Sequence, residues 1–303
     1  MATDTPIDDL HVHYVPAWWY RDVPGAAAPI DPHISDLDVV VAGVAGPGSR
    51  RVLSVSIEIL YGDHDADPAA LRRLNASVAD AVAAHPDELL GLATIDAFAG
   101  LSAADEVRHA IDGLGLHGIV VDSGRTGSVL GEAHTLPALE AAAELGVPVF
   151  VHPVWSDDVD AVRASSGLQA AAWGRGYRNG LALIHLLHAD VLRSVAGLRL
   201  IFTSLGVGGL FFAHRQLDAL RDADGAAPEV YFDTTALHPA SIRYALDVLG
   251  PERIVIGTDW PFHDDDRSAI LAAVGQLGLD PDDEDGVLNG NFRSLFTRNV
   301  VAS

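Results

Sequence analysis

His11 and His13, one residue apart in the stretch Asp9-Leu10-His11-Val12-His13, are the residues of this chain whose type and spacing most clearly permit chemistry. Alternate side chains of a strand project to one face, so both imidazoles point the same way and can grip one cation from one side. A lone pair of this kind is more often packed or solvated than metal-bound, so the reading depends on whether other donors join it. Two do: His152 in Val149-Phe150-Val151-His152-Pro153 and Asp259 in Gly257-Thr258-Asp259-Trp260-Pro261 each end another apolar run. Three imidazoles and a carboxylate leave an open position on zinc or another first-row divalent ion, where water or a substrate oxygen binds. Taken singly, His152 reads as a packed histidine before a proline and Asp259 as a helix N-cap. Their coincidence at the ends of separate runs favours the metal site.

The elements that must position these residues follow from the hydropathy pattern. Strands are predicted at 7–13, 51–57, 89–95, 118–122, 147–152, 198–204, 230–235 and 253–258, eight in all. Helical spacing fills the stretches between, as at 68–85, where Leu71, Leu74, Val78, Ala81 and Val82 form one stripe, and at 136–145. Gly146 is placed to end one helix and Gly250-Pro251 another. Eight such units in a chain of 303 residues predict a (β/α)8 TIM barrel of the metal-dependent hydrolase type. A doubly wound open sheet is the alternative, but no GxGxxG follows the first strand. Chemistry in a barrel of this kind sits at the C-terminal ends of the strands, where His11, His13, His152 and Asp259 fall.

With 49% hydrophobic residues and no linker or composition break, we expect one domain over residues 1–303. No signal segment or long apolar run is present, and we expect a soluble, cytoplasmic protein. The chain has no cysteine, which excludes disulfides, thiolate nucleophiles and Cys-ligated zinc or iron–sulfur sites. All 19 basic residues are arginine, so there is no lysine for a Schiff base, a P-loop contact or a carboxylated lysine bridging two metals. One metal ion is the simpler expectation: zinc, with manganese or iron as alternatives. The net charge of −23 makes nucleic acid and membrane surfaces poor partners.

The chain resembles the aminocarboxymuconate-semialdehyde decarboxylase branch of the amidohydrolase superfamily. The resemblance rests on residues 9–16, on Asn75 with the helix up to His85-Pro86, and on Gly91-Leu92-Ala93-Thr94-Ile95 and Gly115-Leu116-His117-Gly118. It continues through 149–153, 198–209, Tyr231-Phe232-Asp233-Thr234, 257–262 and Asn291-Phe292-Arg293-Ser294-Leu295-Phe296. The fold it implies is a metal-dependent barrel, and the activity is nonoxidative decarboxylation of unsaturated or aromatic carboxylic acids, with hydratases and hydrolases among relatives. The metal ligands it implies are His11, His13, His152 and Asp259. It also suggests a homodimer.

One position departs from the family. Where its members commonly end strand six with a histidine that shuttles a proton, this chain has Ser204, whose hydroxyl cannot take a proton as imidazole does. Other groups able to do proton work are His238, His263, His185, His188, Asp122 and Glu58, with Asp259 itself beside the metal; each also reads as an ordinary surface or packing residue. Alternatively the metal binds substrate directly and little base is needed.

Trp18, Trp19 and Arg21, directly after the first ligands, suit an aromatic or apolar ring bearing a carboxylate, or equally a hydrophobic staple under the barrel rim. Trp155 and Trp260 are further candidates for the substrate wall, together with Ser204. Residues 154–180, which include Trp173, Arg175, Tyr177 and Arg178, read as a lid or an oligomer contact. The expected function is a metal-dependent lyase that decarboxylates a small carboxylic acid. A metal-dependent hydrolase of an amide, lactone or imide is the alternative, and a catalytically altered binding protein the third reading.

Overall fold

The computed structural model describes residues 5–26, 29, 31–43, 48–61, 66–155, 164, 171–203, 206–219, 229–235, 239–262 and 267–297. Eight strands form one sheet in chain order: β1 Asp9–His13, β2 Arg51–Ser54, β3 Leu89–Thr94, β4 Gly118–Asp122, β5 Val149–His152, β6 Leu200–Phe202, β7 Val230–Asp233 and β8 Ile254–Val255. Every neighbouring pair is parallel. The sheet closes where the chain after β8 returns to β1: Leu10 N–H donates to Ile256 O at 2.9 Å, Asp259 N–H to His11 O at 2.9 Å and His13 N–H to Trp260 O at 2.8 Å. This is a (β/α)8 TIM barrel.

Its interior is filled from all eight strands, by Leu10, Val52, Leu90 with Leu92, Val120, Phe150, Ile201, Tyr231 and Val255, and it is plugged by Phe292 and Leu295 of the C-terminal helix. The outward residues pack under the surrounding helices in a larger cluster. Strands buried on both sides explain why they read as continuous apolar runs rather than as alternating ones.

The helix over Pro68–Ala84, α1, shows how the layers lock. Asp67 caps it, its carboxylate accepting from Ala69 N–H at 2.9 Å, and Pro68 supplies a first-turn residue with φ preset for a helix. Leu71, Leu74, Val78 and Ala81 are its buried stripe. A Cβ on Gly91 of β3 would lie 2.7 Å from Val78 Cγ1, so the strand lets the helix approach by having no side chain there. Asn75 then ties the two together, donating to Thr94 O at 3.1 Å and accepting from Thr94 N–H at 2.8 Å.

The expected strand 51–57 ends early, because Ser56 starts a helix over Ile57–Tyr61 by accepting from Leu60 N–H through its carbonyl. The hairpin of Gly124–Arg125 with Ser128–Val129 after β4 carries no sequence pattern strong enough to anticipate it. A long helix, α2 Ala171–His188, occupies the second half of the segment read as a lid or contact, and residues 156–163 and 165–170 of that segment lie outside the described residues.

Candidate active site at the barrel mouth

A break in register aims the first donors. β1 pairs Asp9 with Arg51 but Val12 with Leu53, a slip of one residue, so a bulge lies between them. Strict alternation would put Leu10 and His11 on opposite faces; the bulge lets both look inward, Leu10 in the interior cluster and the His11 ring 4.8 Å from that of Phe150. The buried Asp9 carboxylate holds the distortion, accepting from His11 N–H at 3.2 Å, Thr258 N–H at 3.0 Å and Thr258 Oγ1 at 2.7 Å. Burial pushes this carboxyl up, against the opposing pull of Arg51 and Thr258.

The donors converge. His11 Nε2 and His13 Nε2 are 3.1 Å apart, Asp259 Oδ1 lies 2.9 Å from His13 Nε2 and 3.4 Å from His11 Nε2, and the donor atoms of His11, His13 and His152 all lie within 4.8 Å of one another. Atoms that share one ion at about 2.1 Å sit about 3.0–3.4 Å apart, so the His11, His13 and Asp259 donors have the spacing of a single coordination sphere, and His152 stands beside them. The three histidines are buried, and the Asp259 side chain is the part that reaches solvent. Asp259 sits at φ +64°, a left-handed backbone that aspartate tolerates better than most residues.

Burial, with the neighbouring His13, His11 and Arg175, holds His152 well below its ordinary pKa, and burial likewise lowers His13 although Asp259 opposes it. Burial would lower His11 too, but Asp259, Asp233 and Asp9 together outweigh it and raise that imidazole. Neutral imidazoles are the state that ligates metal. His11 Nδ1 lies 2.8 Å from Asp233 Oδ2 and 2.9 Å from Thr235 Oγ1. A carboxylate behind a histidine fixes its tautomer and turns Nε2 to the centre. The sequence reading assigned Asp233 no role; its place as the polar end of the seventh apolar run was the signal.

Beside His152 a cavity of about 340 Å³ opens toward the β2–β5 side. Three carboxylates line it, Glu58 after β2, Asp96 after β3 and Asp122 at the end of β4, together with Phe98, Arg125 and Trp155. Asp122 and His152 are register partners on neighbouring strands, which joins the cavity to the donor cluster. Arg175 of α2 reaches across the mouth to Glu58 Oε1 at 2.9 Å and to Pro153 O at 3.4 Å. Burial and the nearby Glu58 and Asp96 push the Asp122 carboxyl well above the usual carboxylate range.

Of the residues expected to bind substrate, Trp155 lines this cavity and Trp260 packs half-buried near Arg51, whose guanidinium lies 5.9 Å from its ring. Trp18, Trp19 and Arg21 do not line it. Trp19 is wholly buried with its ring 5.2 Å from that of Tyr61, Trp18 lies under the Arg73 guanidinium and donates to Ser77 at 3.1 Å, and Arg21 turns to solvent against Asp22. Burying Trp19 and half-burying Trp18 beneath the rim removes apolar surface from water, and the staple reading describes them. Ser204, His238 and His263 lie outside the described residues, and of Trp173 only the backbone is described.

Comparison with known proteins places these features in a context. The family described as amidohydrolase matches residues 8–298. A 2-amino-3-carboxymuconate-6-semialdehyde decarboxylase of Dictyostelium discoideum is 24% identical over 201 residues, which are 62% of this chain and 55% of that protein, so the match spans about half of its length. A gamma-resorcylate decarboxylase of Rhodococcus jostii (strain RHA1) is 24% identical over 223 residues, 65% of this chain and 68% of that protein. Among solved structures, 5-carboxyvanillate decarboxylase from Sphingomonas paucimobilis superposes with a TM-score of 0.75 at 18% identity, over 97% of this chain and 99% of that one. A dihydroxybenzoic acid decarboxylase from Polaromonas sp. JS666, with bound manganese and 2-nitroresorcinol, gives 0.72 at 20% identity over 96% and 97%.

Proposed function

From the premise that the chain belongs to the amidohydrolase family, we propose that it is a metal-dependent lyase that removes carbon dioxide, without oxidation, from a small aromatic or unsaturated carboxylic acid. The observation that carries the reading is the convergence of His11, His13, His152 and Asp259 at the mouth of the barrel. These four hold one divalent ion; zinc is the first candidate and manganese the second, since nitrogen and oxygen donors suit both and a structural neighbour holds manganese. When bound, the ion supplies positive charge that holds a carboxylate and offsets charge developing next to it.

The chain's own residues do the rest. Asp233 and Thr235 orient His11, and Asp9 keeps the β1 bulge that turns it inward. Trp155 and Phe98 flank the cavity and restrict water around a ring. In the reaction a proton drawn from solvent adds to the carbon that carries the carboxylate, and the C–C bond breaks with its electron pair left on that carbon as carbon dioxide departs. The mouth lies beneath the start of α2, which Arg175 ties to Glu58. A homodimer belongs to the same reading. Its support is the apolar surface of the helix over Val207–Ala219, where Phe211 and Phe212 are 58% and 75% exposed; light scattering in solution tests it.

Elemental analysis of protein purified without added metal or chelator, beside a His11→Ala, His152→Ala double variant, is the test of the metal site. About one equivalent of zinc or manganese in the wild type and none in the folded variant is the expected result. Release of carbon dioxide from a panel of hydroxybenzoates and muconate-like acids tests the reaction, and cleavage of amides or lactones without such release would replace it with the hydrolase.

A further inference from the structure

The cavity beside His152 carries more negative charge than its arginines cancel. Glu58 meets Arg175 at 2.9 Å, and Asp96 meets Arg125 at 3.9 Å while also accepting from Phe98 N–H at 2.9 Å. The Arg125 guanidinium is further engaged, donating to Phe98 O at 3.1 Å and lying 4.6 Å from the Phe98 ring. Asp122 stands between the two pairs. Its Oδ1 accepts from Ile57 N–H at 3.2 Å, and among the described residues no arginine lies within ion-pair distance of it. Among the described residues one carboxylate on this wall is thus without a counter-charge, in a space otherwise bounded by the apolar Ile57, Ile95 and Val154 and the rings of Phe98 and Trp155.

A ligand that fills such a space must bring what the wall lacks. A second anionic group would meet three carboxylates and lose its hydration, and a purely apolar group would leave Asp122 with backbone N–H donors alone and no opposite charge in a partly dry cavity. A hydroxyl donates one hydrogen bond and leaves the excess charge standing. A basic amine donates hydrogen bonds and cancels the charge together. The volume of about 340 Å³ is that of a one-ring ligand. The register of β4 with β5 puts Asp122 one strand away from His152, at about 4.8 Å in the sheet direction, so a single small molecule spans both.

We infer that Asp122 is a specificity-determining residue that receives a basic amino group, and that the substrate is a zwitterion: a small unsaturated or aromatic acid with its carboxylate at the His11–His13–His152–Asp259 cluster and its amine at Asp122. The inference rests on the proposed decarboxylase reading for the carboxylate end and on the cavity alone for the amine end. Asp122 accepts hydrogen bonds from the amine. Arg125 and Arg175 keep Asp96 and Glu58 from competing for it. Trp155 and Phe98 bound the ring between the two poles.

Calorimetric titration of the metal-loaded protein with two ligands of matched shape, 3-(aminomethyl)benzoate and 3-ethylbenzoate, tests the assignment. The amine-bearing ligand should bind at least about ten-fold tighter to the wild type. In Asp122→Asn, which keeps the oxygen that accepts from Ile57 N–H, the preference should vanish while the affinity for 3-ethylbenzoate stays within about two-fold. Equal binding of the two ligands by the wild type overturns the proposal whether or not the variant folds, and so does a preference that survives in a folded Asp122→Asn. A preserved amine preference without carbon dioxide release from any amino acid of this shape would leave Asp122 assigned and remove the decarboxylase reading instead.

Discussion

On the β1, β5 and β8 side of the mouth the ionisable groups are imidazoles sealed from solvent, each set by a strand and one of them backed by a second carboxylate; on the β2–β4 side they are carboxylates standing on strand ends and short loops, partly open to water, two of them paired with arginines. The first side is rigid because its geometry is written into backbone pairing. The second is held by side-chain ion pairs across the mouth, and surface pairs of that kind contribute little stability. The difference teaches where each property resides. Affinity for an ion needs fixed donors, whereas selection among substrates needs a wall that can differ between relatives without disturbing the ion.

Asp233→Asn strikes the rigid side hardest. It replaces the carboxylate behind His11 Nδ1 by an amide, and metal affinity, read by competition with a chelator, should fall about 10–100-fold while the helical content stays unchanged. Gly257→Ala comes next. Its Cβ would meet Asp233 Cβ at 2.8 Å and His11 Cβ at 2.9 Å, so two members of the same unit must shift; a loss of about 1–3 kcal/mol in urea unfolding and weaker metal retention are expected.

Asp122→Asn touches only the other side and should act in the opposite sense. A carboxyl raised above 3.8 in the folded state loses stability as pH climbs from about 4 through its folded value, because the unfolded chain releases the proton first. The metal-free variant lacks that cost, so its stability relative to wild type should improve between pH 4 and 7 and the gap should close again in acid; a gap independent of pH would count against the environment described for Asp122. Arg21→Ala is the smallest change. Its partner Asp22 is a surface neighbour and neither lines the cavity, so melting temperature and ligand affinity should not move. A measurable loss of ligand binding in Arg21→Ala would put the β1 loop back into the substrate wall.

The two sides also differ in how legible they are in the amino-acid sequence. His11, His13, His152 and Asp259 are rare residue types at the ends of apolar runs, and the alternation of those runs with helical stretches is what the barrel requires, so fold and donor cluster could be read together. The bulge could not: nothing in Asp9-Leu10-His11 announces that two successive side chains face inward, because the slip is decided by Asp9 reaching Thr258, 249 residues away. Nor could the acidic wall. Among 42 acidic residues, Glu58, Asp96 and Asp122 have no distinguishing spacing, and only the closure of the sheet brings their strand ends to one cavity. Trp18 and Trp19 misled for a related reason, since an indole beside a ligand looks the same in sequence whether it faces the mouth or the core.

The seam that closes the barrel also has a temporal meaning. His13 and Asp259 are 246 residues apart, and the hydrogen bonds that join His11 and His13 to Asp259 and Trp260 are the same ones that complete the sheet. During synthesis from the N-terminus, the imidazoles of β1 exist long before their carboxylate partner is made, and no chain that stops short of Asp259 can assemble all four donors. An ion held there would act as a clasp between the first strand and the segment after the last, so that metal retention reports on whether the seam of the barrel is fastened shut.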